Sequence, residues 1–203
     1  MSRIEAVIFD LGNVLLPFNW EIAADRFCAR TGRTRRELDD YIVTTPFMNE
    51  LCVGQMDKVE YYRIMAREFG FDDSYDEFAL IWSDIFTTDE EMIALVARLK
   101  GRQRRFVLSN TNAIHMDFVM ARYPFMHTMD GLILSHEVGL MKPDRRIYEV
   151  TLERFGLEAA KSVFIDDILM NVEAAQGAGI HGIHHRSAAG TQDELTKLGV
   201  LPI

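Results

Sequence analysis

The chain has 203 residues, 48% of them apolar, and a formal net charge of −9. That length holds one core unit plus a modest insertion, and that apolar share supports a buried core and argues against disorder. The negative balance leaves no general positive field for nucleic acid, and no apolar run nears the ~20 residues that span a bilayer. Cys28 and Cys52 are too few for a disulfide framework, and the N-terminus enters an apolar run without a leader pattern, so a cytoplasmic protein is expected. Two basic clusters, Arg30/Arg33/Arg35/Arg36 and Arg102/Arg104/Arg105, are read as solvated turns and helix faces. The eleven methionines are read as core filler.

The first element is the run Ala6-Val7-Ile8-Phe9, which ends in Asp10 and continues as Leu11-Gly12-Asn13. It reads as a buried strand that ends in an acid, followed by a tight turn. A carboxylate there is costly to desolvate unless something compensates it, and ligands of open α/β sheets bind at the carboxyl ends of strands. Asp10 is therefore a candidate for chemistry or metal binding, although an acid at that place also caps turns.

After Leu16 the pattern turns helical for about seventy residues. A helix is expected over 19–31, with Ile22, Ala23, Phe27 and Cys28 at helical spacing. Further helix starts carry capping-box spacing at Thr34…Glu37, Ser74…Glu77 and Thr88…Glu91, with Asp57…Glu60 as an acidic variant. The segment Pro46 to Gly54 breaks the helices and mixes aromatic with polar groups; it is either an interhelical connection or a substrate-facing loop.

From Arg104 onward strands and helices alternate. Strands are expected at 105–109, 131–135, 162–166 and 180–185, and helices at 113–122, 145–155 and 169–177. That order predicts parallel βαβ units with right-handed crossovers, joined by the first strand. The fold class is α/β, a doubly wound parallel sheet of Rossmann-like form with an inserted α-helical cap: 1–15 and 89–203 form the core, 16–88 the cap. His181, His184 and His185 are expected at an edge or surface, the adjacent pair pointing to opposite faces.

Three strands run into polar groups: Asp10, then Ser109-Asn110-Thr111-Asn112, then Asp166-Asp167. Lys142 lies between the last two, in Gly139-Leu140-Met141-Lys142-Pro143-Asp144. Mg²⁺ takes about six oxygen ligands, one or two of them carboxylates, and Asp10 and Asp167 could supply those. The acid pair also reads as caps for the helix near Leu169. Ser109 and Asn110 suit a phosphate oxygen or a simple N-cap. Lys142 reads as a neutralising charge or as a solvated one.

The order acid, hydroxyl, lysine, acid pair resembles the haloacid dehalogenase superfamily, from Asp10 to Asn171. The resemblance implies that Asp10 attacks phosphorus, and that Asp10, the Gly12 carbonyl and Asp167 hold Mg²⁺. It further implies that Asp166 supports the metal from a second shell and that Asn171 stands where relatives often carry another acid. Ser109, Asn110 and Lys142 would bind the substrate phosphate, with Lys142 also neutralising Asp10. A small phosphorylated metabolite would be the partner.

Two positions depart from the family pattern. Gly12 stands where most phosphatases of the superfamily carry a general acid, and Ile168 follows the acid pair where many have a small polar residue. The sequence Asp10-Leu11-Gly12-Asn13-Val14 resembles a branch that includes bacterial α-D-glucose-1-phosphate phosphatases. An anomeric hydroxyl is an acidic leaving group, so a hexose 1-phosphate is the expected substrate. Two other readings stand beside it. One is a dehalogenase whose acid attacks carbon, disfavoured by Asp166-Asp167. The other is a phosphate-sensing or partner-binding protein that has lost turnover, for which Gly12 is the support.

Overall fold

Five short strands pair in parallel, in the order β3-β2-β1-β4-β5, in a computed structural model that describes residues 3–202. They are β1 (Ala6–Phe9), β2 (Arg104–Ser109), β3 (Gly131–Leu134), β4 (Ser162–Asp166) and β5 (His181–His184). The first strand is central, with Phe9 level with Val107 of β2 and Ile165 of β4. The doubly wound α/β sheet expected from the sequence is thus the observed one. The strand order reverses at β1, so the chain leaves the carboxyl ends of β1, β2 and β4 around one crevice.

Alternate residues of each strand face opposite layers. Val7, Phe9, Val107 and Ile165 pack on Leu95 and Leu99 of α6 (Glu90–Leu99) and Val119 of α7 (Ala113–Arg122). Ile8, Phe106, Leu108 and Phe164 pack on Ile147 and Tyr148 of α9 (Arg145–Phe155) and Ala175 of α10 (Leu169–Gly177). Both faces are covered, which is why these strands read as continuous apolar runs.

The stretch between β1 and α6 forms five helices with their own aromatic core. They are α1 (Trp20–Thr31), α2 (Arg35–Thr44), α3 (Phe47–Cys52), α4 (Lys58–Phe69) and α5 (Tyr75–Ser83). Phe27, Tyr61, Phe69, Phe78 and Trp82 meet inside, with Phe78 and Trp82 stacked at 4.9 Å. Ile114 of α7 joins this cluster, and the buried Ser83 hydroxyl donates to its carbonyl at 3.2 Å. The chains entering and leaving the block pair through Asn19 N to Ile85 O, 3.1 Å, and Thr87 N to Pro17 O, 2.8 Å.

Thr34 and Glu37 form the reciprocal capping box their spacing predicts. Ser74 accepts from the Glu77 N–H, and Asp57 from those of Val59 and Glu60. The Thr88 box is corrected by one residue: Asp89 caps α6 through the Met92 N–H, because its carboxylate is the stronger acceptor at a helix start. Residues 46–54 are corrected from loop to helix over α3, which Pro46 precedes. Two helices had no sequence signal strong enough to expect: the single turn α8 (Ser135–Val138), which takes Ser135 from the predicted strand, and α11 (Ala188–Lys197).

Arg105 is also corrected. It is buried, its guanidinium donating to the carbonyls of Val96 and Thr128 and lying 3.6 Å from Asp130, so β2 carries a structural cation rather than a solvated one. Among the other cluster, Arg30, Arg33, Arg35 and Arg36 pair with acids on exposed helix faces, as expected. The histidines lie on and just after β5, an edge strand, as one of the two expected positions has it; His185 itself is buried against the Thr191 hydroxyl, 2.8 Å away, and not at the surface. No helix among the described residues is long and apolar enough to cross a membrane.

Gly54 fixes how α3 meets α8. Its φ is +70°, and a Cβ there would lie 2.0 Å from the His136 carbonyl oxygen. Gly54→Ala therefore combines a left-handed backbone with a backbone collision. We expect a loss of about 2 kcal/mol or more, and at roughly 2–4 °C per kcal/mol a clearly lower Tm in thermal unfolding. An unchanged Tm would show that the segment yields without cost.

Candidate active site

The crevice at the strand ends is organised around a buried cation. Lys142, its side chain 1% exposed, sits 2.8 Å from Asp10 Oδ1 and 2.7 Å from Asp166 Oδ2. Its backbone is fixed by the Asn110 amide, which donates to the Lys142 carbonyl and accepts from the Lys142 N–H, both at 2.8 Å. A loop lysine is usually solvated; this one is held from both backbone and side chain.

Asp166 has no spare acceptor capacity facing a metal. Its Oδ2 takes Lys142, its Oδ1 takes the Ile168 N–H at 2.8 Å, and the Asn171 amide lies 3.1 Å from both oxygens. Asn171 is held in turn by packing below 4% exposure, and its carbonyl accepts from the Tyr148 hydroxyl at 2.8 Å. Ile168 thus contributes its N–H, while its side chain faces solvent and is free to be apolar.

Asp10 is anchored by its own N–H to the Ile165 carbonyl and by the Leu11 N–H to Oδ1 at 2.6 Å. Its Oδ2 has no hydrogen-bond partner among the described residues. Burial pushes its carboxyl up, Lys142 pulls it back and Asp166 raises it again, leaving it at about 6. Asp167 is half-buried beside it. Its Oδ2 accepts from the Asn13 amide at 3.3 Å, and its carbonyl accepts from His184 Nε2 at 2.9 Å.

Oxygen atoms of Asp10, Asp166 and Asp167 all lie within 4.8 Å of one another. Three carboxylates against one ammonium leave a net negative site of hard oxygen donors, which fits a divalent cation such as Mg²⁺. With Asp166 committed to Lys142 and Asn171, the donors left to hold it are Asp10 and Asp167. The Gly12 carbonyl could be a further one: the turn closes through Asn13 N to Leu16 O and Leu16 N to Leu11 O, which leaves that carbonyl without a hydrogen bond among the described residues. The left-handed residue of that turn is Asn13, φ 53°, not Gly12. A Cβ on Gly12 would instead meet the Phe18 ring at 3.0 Å.

Ser109, 3% exposed, ends β2 beside this cluster. It and Asn110 open onto a cavity of about 350 Å³ that continues from Leu11 and Gly12 to Met48 and Cys52 of α3. Part of the 46–54 segment therefore does face the crevice. His115 also lines it, and burial pushes its imidazole down to about 4, so it is neutral at pH 7.

All the residues singled out from the sequence meet here: Asp10, Gly12, Ser109, Asn110, Lys142, Asp166, Asp167 and Asn171. Nothing in the sequence marks Asn13, Tyr148 or His184 as their supports. Asn13 alone carries a local signal, since asparagine tolerates the left-handed turn conformation better than other side chains.

A family model described as haloacid dehalogenase-like hydrolase matches residues 4–179. A sesquiterpene phosphatase of Aspergillus oryzae is 31% identical, with 97% of each chain covered. A D-ribitol-5-phosphate phosphatase of Bacteroides thetaiotaomicron is 24% identical, covering 95% of this chain and 97% of that one. In structure, the chain is similar to a HAD family enzyme of the same bacterium solved in complex with magnesium and inorganic phosphate. That likeness has a TM-score of 0.83 at 22% identity and covers 90% of this chain and 94% of the other.

The raised Asp10 carboxyl gives a signed pH dependence. A divalent cation held by Asp10 would compete with protons, so its affinity would be full above about 6 and fall as pH drops through that value. Titrating Mg²⁺ calorimetrically between pH 7.5 and pH 5 should raise the apparent Kd by up to about tenfold per pH unit on the acid side. A pH-independent Kd would mean that Asp10 is not a ligand.

Proposed function

The chain belongs to the haloacid dehalogenase-like hydrolases, and we propose that it hydrolyses a small phosphomonoester with Mg²⁺, through an aspartyl-phosphate on Asp10. The observation that carries this reading is the pairing of a buried Lys142 with Asp10 while Oδ2 of Asp10 stays unpartnered. A nucleophilic carboxylate needs one free oxygen and a fixed orientation, and it has both.

Asp10 Oδ2 attacks phosphorus as the ester oxygen departs, and water then cleaves the acyl phosphate to release inorganic phosphate. Lys142 balances charge on Asp10 and on the transferring group, in a water-poor setting where such stabilisation is strongest. The Ser109 hydroxyl and the Asn110 backbone N–H receive phosphate oxygens. Mg²⁺, held by Asp10, Asp167 and the Gly12 carbonyl, would screen the repulsion between carboxylate and phosphate. Asp166 and Asn171 act through Lys142: they position it. The helical block, 16–88, serves as a cap that closes over the crevice and excludes water.

Gly12 offers no proton to the leaving group, and the Phe18 ring occupies the adjacent space. The rate should therefore depend on the acidity of the departing alcohol. A hexose 1-phosphate meets that demand through its anomeric oxygen. The two relatives named above act, by their names, on a sesquiterpene and on a polyol phosphate, so the alcohol itself is a separate question.

Three substitutions separate the roles. Asp10→Asn should abolish turnover with a smaller change in Tm than Asp166→Asn, because the costly burial of its carboxylate offsets the partner that Lys142 loses. Asp167→Asn should lower activity through Mg²⁺ affinity alone. Asp166→Asn should lower stability by about 3–5 kcal/mol, because it strips a buried lysine of one partner. This exceeds the mild effect expected of a residue that only supports a metal. Steady-state kinetics across Mg²⁺ concentrations, paired with thermal unfolding, reads all three. Asp10→Asn activity within tenfold of wild type would remove the nucleophile.

Gly12→Asp tests the missing acid. The φ of Gly12 permits a side chain, and only the exposed Phe18 ring must move. The variant should narrow the preference for 1-phosphates over 6-phosphates of the same sugar, since a general acid contributes about 10²–10⁴-fold. A wild-type preference for the 6-phosphates would refute the leaving-group argument.

A further inference from the structure

The cavity lined by Ser109 and by Leu11 and Gly12, the residues that follow Asp10, is walled by Phe18, Trp20, Ile42, Met48, Ile85 and Phe86, and no charged side chain lines it. Trp20 is set edge-on to the buried Trp82 at 4.8 Å, and Phe18 and Phe86 meet at 5.9 Å, so the wall is aromatic and braced. The volume of about 350 Å³ is that of a small ligand site.

The few polar groups in the lining are largely spoken for. The Asn110 amide is closed onto the Lys142 backbone at both ends. Asn112 caps α7 by accepting from the His115 N–H at 3.0 Å, and its amide nitrogen faces His115 Nδ1 at 3.4 Å. The Thr111 backbone is tied through its N–H and carbonyl to the Ser135 hydroxyl. A sugar or polyol entering here would bury several hydroxyls against carbon. The Ser109 and Thr111 hydroxyls, the Trp20 indole N–H and the unpartnered Nε2 of the neutral His115 are left to answer them, and Ser109 faces the phosphate, so a ligand with one polar group is met where one with several is not.

From this wall we infer that the alcohol of the natural phosphomonoester is apolar: a hydrocarbon group seated on Phe18, Trp20, Met48 and Phe86, with its phosphate at Asp10. This rests on the phosphatase reading and replaces its sugar with a hydrocarbon. The wall is continuous with the crevice through Leu11 and Gly12, so one molecule spans both. Gly12 then has a second use, because its lack of a Cβ lets the Phe18 ring close to 3.0 Å of that position and extend the apolar surface to the reacting group.

The test holds chain length fixed. Pentyl phosphate and ribitol 5-phosphate both release a primary alcohol of five carbons, and the hydroxyls of ribitol make it the more acidic leaving group, so a preference for pentyl runs against leaving-group acidity and reports the pocket. With saturating Mg²⁺, kcat/KM should rise about fourfold per methylene from methyl through propyl to pentyl phosphate. Pentyl phosphate should exceed ribitol 5-phosphate by at least about tenfold, since an apolar pocket rejects an added hydroxyl by up to about 10². Met48→Gln should flatten the methyl-to-pentyl rise. A flat series, or a preference for ribitol 5-phosphate, would overturn the inference while leaving the phosphatase intact.

If no ester releases phosphate, the phosphatase reading falls, and binding still judges the cavity. Methylphosphonate and pentylphosphonate would be titrated against tryptophan fluorescence, with Trp20→Phe assigning the signal. Tenfold or tighter binding of the pentyl compound supports the apolar seat, and equal Kd values refute it.

Discussion

The buried ammonium of Lys142 is the interaction on which the rest of the crevice depends. Two carboxylates, from β1 and β4, end side by side because their strands are neighbours in the sheet. Without a cation between them, Asp10 and Asp166 would repel each other in a poorly solvated space. Lys142 arrives from a third segment, after β3, and the Asn110 amide at the end of β2 sets where that segment lies. The parallel sheet thus supplies the converging strand ends, and one charge makes their convergence tolerable. Phe164 beneath, 5.3 Å from Nζ, and Tyr148 behind Asn171 complete the packing that keeps it there.

The same arrangement divides labour between two adjacent acids. Asp166 ends β4 pointing inward, and all its lone pairs go to Lys142, Asn171 and the Ile168 N–H. Asp167, one residue on, lies in the bend after β4 and is half-buried, its carboxylate in the same cluster but partnered only by the Asn13 amide. One acid serves the protein and the other is left for a ligand.

Much of the core was legible because its signals are local. The strands β1 to β4 hold short apolar runs, and the helix starts at Thr34, Ser74 and Asp57 announce themselves by spacing. The polar groups after the strands were legible through their order. What could not be read are interactions between residues far apart in the chain. Asp166 as partner of Lys142, Tyr148 as support for Asn171, and Arg105 buried under Val96 and Thr128 depend on which strands become neighbours. Local competition explains the shifted cap at Asp89, where two adjacent residues can each cap and the charged one wins. The helix α3 escaped notice because Pro46 and Gly54 bracket too few residues for a period to show.

The crossing of the two chains below the helical block carries a mechanical consequence. Pro17–Asn19 and Ile85–Thr87 are clipped together by backbone hydrogen bonds, and the aromatic rings of Phe18 and Phe86 project from that clip into the cavity wall. The helical block is also seated on the core through Ile114, the Ser83–Ile114 bond and Gly54 against His136, so the strap is one tie among several. Because the strap itself carries two rings of the cavity wall, the seating of the block on the core and the shape of the cavity are set by the same few residues.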